Sequence, residues 1–245
     1  MIYFASDFHL GIPNHADSLE REKSLVSWLE MAAKDATAIY LMGDIFDFWF
    51  EYKRAVPRGF VRLLGTLARL TDSGIEITVF KGNHDMWMFG YLEEECGVKT
   101  VSDALEKELN GKQFYLHHGD GLGRGERAYK LLRGFFRSGI CQWLFARLHP
   151  NFGIGLALLL SRKSRLAQKN RYETYLGDDN EHLTVFAREM LKTRHKDFFI
   201  FGHRHLPLQI HVGENSTYFN LGEWLHHRTY VVFDGADCHL RTWKG

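Results

Sequence analysis

Five short polar segments, each following an apolar run, constrain this 245-residue chain more than any other feature. They are Asp7-Phe8-His9, Gly43-Asp44, Gly82-Asn83-His84-Asp85, His118-Gly119-Asp120 and Gly202-His203-Arg204-His205. The runs ahead of them are Ile2–Ala5, Ile39–Met42, Ile77–Phe80, Phe114–His117 and Phe198–Phe201. Short apolar runs that close on Gly, Asp or His read as buried strands whose carboxyl ends present polar side chains at one rim. Donors far apart in sequence then converge in space.

The donor types define the chemistry. Asp, His and Asn are oxygen and nitrogen ligands, and no cysteine is spaced to join them, which favours Mn, Fe, Zn or Mg over a thiolate site. Asp44 is placed as a bridge between two ions. Asp7, His9 and His205 complete one coordination sphere; Asn83, His118 and His203 complete the other. Two ions roughly 3.5–4 Å apart acidify a water and clamp both oxygens of an in-line phosphoryl displacement. Taken singly, Asp-x-His, Gly-Asp or Gly-His-x-His is ordinary turn sequence. Five of them at five strand ends carry the metal reading.

Together these segments resemble the pattern of the calcineurin-like metallophosphoesterases, from Ile2 to about Trp243. The resemblance implies an α/β fold: a four-layer α/β/β/α sandwich with the site at the strand ends. It implies that Asp7, His9, Asp44 and His205 hold one ion and that Asp44, Asn83, His118 and His203 hold the other. It makes His84 a catalytic residue that touches a phosphate oxygen or protonates the leaving group. Asp85 is then the partner that orients His84, because a functional imidazole needs a neighbour to fix its tautomer.

The rest of the chain suits one large enzyme domain with an insertion. A net charge of +1 makes no overall electrostatic case for nucleic acid. Cys96, Cys141 and Cys238 are far apart and lack CxxC spacing, so they read as reduced structural thiols of a cytosolic protein. The chain starts on a strand, without the basic and apolar regions of a signal peptide. Its longest apolar run, Ile154 to Leu160, contains Gly155 and is too short to span a bilayer. Apolar spacing predicts helices over 18–34 and 57–70, and a further one over 178–192. Asn110-Gly111 predicts a hairpin between 104–109 and 112–117. Short strands follow from Phe198, with turns at Gly213 and Gly235. Trp87 and Trp224 read as core. His149, His195 and His226 read as ordinary surface residues.

One stretch breaks the pattern. Residues 121–175 read as helical and divide the sandwich core into 1–120 and 176–245. The stretch carries 11 basic and 2 acidic residues, a charge of +9 against −8 for the remainder. It is also rich in Leu, Phe and Trp. A self-packed helical subdomain with a solvated basic face would account for this. A nucleic-acid surface would want the charge with less bulk hydrophobe. A cap that binds a phosphorylated lipid and touches an anionic membrane accounts for both properties, since mixed basic and apolar surfaces settle in the headgroup region.

The cap narrows the resemblance to the UDP-2,3-diacylglucosamine hydrolases of lipid A biosynthesis, which pair this metal core with a helical insertion after His-Gly-Asp. The similarity includes Phe8 and Leu10, Gly43 to Phe46 followed by Trp49, Tyr129 and Arg133, and the stretch Arg162 to Arg165. It implies a pyrophosphate hydrolase that uses two divalent ions, manganese first with iron or zinc also compatible. Attack on the phosphorus nearer uridine would release UMP and 2,3-diacylglucosamine 1-phosphate. Asn83, His84, Glu126, Tyr129, Ser164, Gln168 and Arg171 would line this nucleotide-activated, acylated sugar. The protein would be cytoplasmic and peripheral, on the anionic cytoplasmic face of the inner membrane, with no nucleic-acid partner and no obligate protein partner. The best-known members carry arginine where this chain has His84. That departure leaves an alternative: a metallophosphoesterase acting on another phosphodiester, diphosphate or phosphoprotein.

Overall fold

Period-two alternation divides the central strands between two hydrophobic layers. In the computed structural model of the chain, residues 1–123 and 127–245 are described, without the side chains of 127–128 and 166–173. The first half runs β1 (Ile2–Ala5), α1 (His15–Ala32), β2 (Ala38–Leu41), α2 (Val61–Asp72), β3 (Glu76–Phe80), α3 (Tyr91–Cys96), β4 (Lys99–Val101), β5 (Leu105–Leu109) and β6 (Lys112–His117). Then come helices α4 (Arg127–Arg137), α5 (Gly139–Phe145), α6 (Pro150–Glu173) and α7 (His182–Leu191). Strands β7 (Phe198–Phe201), β8 (Pro207–Gly213), β9 (Ser216–Leu221), β10 (Thr229–Phe233) and β11 (Cys238–Thr242) close the chain.

Two mixed sheets result. One has the order β11-β10-β1-β2-β3-β4, the other β5-β6-β7-β9-β8. Strands β1 to β4 are mutually parallel, as are β6, β7 and β9. Phe4 and Tyr40 from the first sheet pack between the sheets against Phe114, Leu116, Phe198 and Ile200 from the second. The alternate residues Tyr3, Ala5, Ile39 and Leu41 face outward, onto Leu25, Trp28 and Leu29 of α1 and Leu63 and Leu67 of α2. Phe199 and Phe201 turn outward from the second sheet onto Leu183 and Ala187 of α7. The layers are therefore α/β/β/α, each sheet buried on both faces, which is why the parallel strands read as unbroken apolar runs.

Local chemistry sets the boundaries. Asn14 Oδ1 accepts from Asp17 N at 3.0 Å and starts α1 three residues earlier than its apolar spacing indicates. Asn110 and Gly111, at φ 48° and 77°, form the tight β5–β6 hairpin. Helix α7 starts at His182 rather than 178, because Glu181 is fully buried and committed to Arg204. The short α3 and β4 have no counterpart in the sequence pattern.

Helices α4 to α6 lie between β6 and α7. Phe145 of α5 packs against Phe50 and Trp87, with ring centroids 4.7 and 4.8 Å apart, and Trp87 Nε1 donates to Phe136 O at 2.8 Å. Arg137 donates to Asp103 Oδ1 at 3.0 Å. These three helices still leave Leu131 (78% exposed), Ile140 (75%) and Trp143 (56%) on the surface. Among the described residues, no single helix is long and apolar enough to cross a membrane.

Phe4 is fully buried and stacks on Tyr40 and Phe114, with centroids 5.0 and 5.9 Å apart. Phe4→Ala is expected to lower the unfolding free energy by about 3–5 kcal/mol in denaturant titration, because it removes the ring that joins the two sheets.

Candidate metal centre

Backbone hydrogen bonds join the first of the five strand-end loops to the second, and the fourth to the fifth. Asp7 N donates to Gly43 O at 3.0 Å, His9 N to Asp44 O at 2.9 Å, and Gly202 N to His118 O at 2.8 Å. Asp7, His9, Asp44, His203 and His205 all have positive φ, between 44° and 68°. A left-handed backbone is unfavourable for residues with a Cβ, so its concentration at five donor positions means that tertiary contacts hold them there. Glycine permits the approach. A Cβ on Gly82 would lie 2.1 Å from Asp44 Oδ1, and one on Gly202 would lie 2.5 Å from Asp7 Oδ2.

The side chains meet as three overlapping groups, of which His9, Asp44 and His84 form the one that joins the other two. Donor atoms of Asp7, His9 and His205 lie within 4.8 Å of one another, and so do those of Asp44, His118 and His203. Asp44 Oδ2 lies 3.4 Å from His118 Nε2 and 3.9 Å from His9 Nε2, so it stands between the groups. Asn83 Oδ1 lies 3.2 Å from His118 Nε2. All seven residues expected to bind metal thus share one locus.

The arrangement fits cations. His118 Nδ1 is paired with Met42 O at 2.8 Å, which leaves Nε2 to face the Asn83 and Asp44 oxygens. His9 Nε2 and His205 Nε2 are 3.2 Å apart, beside Asp7 Oδ1, a buried oxygen with no hydrogen-bond donor. Burial disfavours charge here, yet His118 and the other imidazoles hold Asp44 well below the usual carboxylate range. The same burial opposes charge on His118, but Asp44 and Asp7 push it well above its ordinary value. Buried oxygens that draw positive charge this strongly suit two divalent ions, with Asp44 able to reach both.

His84 joins the locus, with its ring 4.9 Å from that of His9 and its N–H donating to Asp44 Oδ1 at 2.8 Å. The expected role of Asp85 needs correction. Its carboxylate accepts from Ile45 N and Gly82 N, both at 2.8 Å, and from Phe46 N at 3.3 Å. Asp85 therefore fastens the second and third loops together. His84 Nδ1 instead meets Asp47 O at 3.1 Å and Ser161 Oγ at 3.0 Å.

Of the other expected substrate residues, Tyr129 stands beside this centre. Tyr129 donates to Asp120 Oδ2 at 2.9 Å, and its ring is 6.4 Å from His203. Ser164 is exposed on α6. Glu126 lies outside the described residues, as do the side chains of Gln168 and Arg171.

Three supports escaped the sequence reading. Arg21 reaches Phe8 O at 2.6 Å and His9 O at 2.8 Å, bracing the first loop. Arg204 forms a buried fork with Glu181 at 2.8 and 2.7 Å, bracing the last. Asp47 lies beside His9 and His84. Its position three residues after Asp44, inside an apolar loop, was the available signal.

The chain matches the calcineurin-like phosphoesterase family over residues 1–207. It belongs to that family. It is therefore a metal-dependent hydrolase of phosphoric esters or anhydrides, of the dinuclear kind. It is 42% identical to the UDP-2,3-diacylglucosamine hydrolase of Porphyromonas gingivalis, over 98% of this chain and 97% of that one. It is 27% identical to the protein of the same name from Edwardsiella ictaluri, over 97% and 90%. A solved E. coli phosphoesterase, Yfce, aligns at TM-score 0.46 and 15% identity over 99% of this chain and 93% of that one.

A cavity of about 1180 Å³ opens beside the centre of this phosphoesterase. Arg21, His205 and Trp224 contribute from the core, and Leu158, Leu159, Arg162 and Arg165 from α6. Its lining mixes apolar and cationic side chains with three carboxylates, Asp17, Glu20 and Glu223, and includes His205. His226, expected to be an ordinary surface residue, also lines it.

Asp44→Ala and His118→Ala are expected to reduce hydrolysis of a soluble phosphodiester to background and to lower bound metal per chain by elemental analysis. Unchanged metal content in both would refute the site.

Proposed function

We propose that this phosphoesterase hydrolyses the pyrophosphate of UDP-2,3-diacylglucosamine to UMP and 2,3-diacylglucosamine 1-phosphate. The observation that carries this reading is the likeness to the Porphyromonas gingivalis hydrolase, which runs through the α4–α6 segment as well as the sandwich. The cavity supports it, because acyl chains need apolar walls such as Leu158 and Leu159, while phosphates need a cation such as Arg162 at the mouth. We take residues 121–175 as the cap and residues 1–120 with 176–245 as the core.

Asp7, His9, Asp44 and His205 would hold one divalent ion and Asp44, Asn83, His118 and His203 the other. Manganese is our first assignment, with iron or zinc compatible with the same donors. When bound, such ions supply an acidified water and offset the charge on the phosphoryl oxygens. Attack on the phosphorus nearer uridine breaks its bond to the bridging oxygen, and the sugar phosphate leaves with the electron pair. His84, held through Nδ1, has Nε2 to steady a phosphate oxygen or protonate that leaving group. Asn83, Glu126, Tyr129, Ser164, Gln168 and Arg171 are the remaining residues we assign to the substrate.

We also place the protein in the cytoplasm, peripherally bound to the anionic face of the inner membrane. The exposed Leu131, Ile140 and Trp143 within a segment of charge +9 support this placement.

The deciding assay follows UMP release from UDP-2,3-diacylglucosamine with Mn present. Release at a rate well above that for a soluble phosphodiester is expected, whereas cleavage of only the soluble ester would discard the substrate. Leu158→Asp should raise KM for the acylated substrate more than KM for the soluble one. Trp143→Glu combined with Leu131→Glu should abolish sedimentation with phosphatidylglycerol vesicles.

A further inference from the structure

Asp47 is a fully buried carboxylate between two parts of the chain that are remote in sequence. On the core side, Oδ1 lies 3.4 Å from His9 Nδ1, and the Asp47 carbonyl lies 3.1 Å from His84 Nδ1. Its own N–H bonds to Leu10 O at 2.9 Å, tying the second loop to the first. On the α6 side, Ser161 Oγ donates to Oδ2 at 2.9 Å. The Arg165 guanidinium engages both carboxylate oxygens, Nη1 on Oδ1 and Nη2 on Oδ2 at 3.3 Å. Ser161 Oγ also lies 3.0 Å from His84 Nδ1.

A carboxylate with two oxygens can satisfy this many partners only where they stand together. A planar guanidinium fork fixes direction as well as charge, so Arg165 fits only when α6 sits over the loop at one height. His84 is held at Nδ1 by hydrogen bonding, whereas His9 Nδ1 faces the Asp47 carboxylate as an ion-pair contact, with His9 Nε2 3.9 Å from Asp7 Oδ1 and from Asp44 Oδ2. We propose that Asp47 is a positioning residue that fastens α6 onto the catalytic floor and, through the same carboxylate and its own carbonyl, sets the orientation of His9 and His84. The cap seat and the metal site then share one clasp: release of Arg165 and Ser161 loosens α6, and loss of the Asp47 charge loosens α6 and His9 together. The inference rests on the assignment of His9 as a metal ligand. It does not depend on the identity of the substrate.

The test uses full-length protein and readouts independent of the acylated substrate. Mn affinity is measured by competition with a fluorescent chelator, and cap seating by the rate of limited proteolysis within 139–165. Asp47→Asn is expected to weaken Mn binding about tenfold, the scale for loss of a carboxylate behind a ligating histidine. It should also speed cap cleavage several-fold. Arg165→Ala should speed cleavage while leaving Mn affinity close to wild type. In the double variant, cleavage should match Asp47→Asn alone, because both substitutions remove one interaction. Cleavage accelerations that multiply in the double variant, or Mn affinity unchanged by Asp47→Asn, would overturn the proposal. If circular dichroism shows Asp47→Asn unfolded, Ser161→Ala combined with Arg165→Ala decides it: cleavage faster than wild type supports the clasp, and cleavage at the wild-type rate overturns it.

Discussion

Two buried carboxylates, Asp7 and Asp44, are the constraint on which the rest of this structure depends. Burying two negative charges side by side is costly unless cationic or hydrogen-bonding groups meet them. Here they meet imidazoles and backbone: His203 N donates to Asp7 Oδ2 at 3.0 Å, and His84 N donates to Asp44 Oδ1 at 2.8 Å. The oxygens that remain point at histidine nitrogens, and this leftover demand for positive charge is what suits the site to metal. The fold meets the demand by aligning parallel strand ends from two sheets.

That alignment bends the backbone out of its ordinary range. Five residues at this centre take left-handed φ values, and glycines at 82 and 202 stand where any side chain would strike the Asp44 or Asp7 carboxylate. The conformations persist because four of the five loops are braced from behind. Arg21 holds the first loop through carbonyls, Asp85 joins the second to the third through amides, and the Arg204–Glu181 fork holds the last. None of these braces is placed as a metal ligand. They convert packing energy into the geometry of the centre.

Helix α6 adds a second function to the same scaffold. It lines the cavity with Leu158, Leu159, Arg162 and Arg165, and Ser161 and Arg165 also bond to Asp47 on the core. One helix therefore both walls the cavity and bonds to the core at Asp47. This economy is available because residues three and four apart share a helical face.

The sequence alone determined the strand ends and the inventory of donors, because apolar runs bounded by Gly, Asp and His depend on local patterning, while the two-sheet architecture was implied only by the family resemblance. Helices α1 and α2 were visible for the same reason. The six-residue α3 and three-residue β4 were not, since segments so short carry no period. Tertiary structure decided which imidazole nitrogen faces the centre, and it gave Asp85 to the backbone and His84 to Asp47 and Ser161. It also decided where α6 meets the core, at Asp47. Those outcomes turn on contacts such as Asp47 with Arg165, 118 residues apart, and His9 with His205, 196 apart. Local sequence holds no trace of such pairs, because only the packing of sheets and helices brings them within reach of one another.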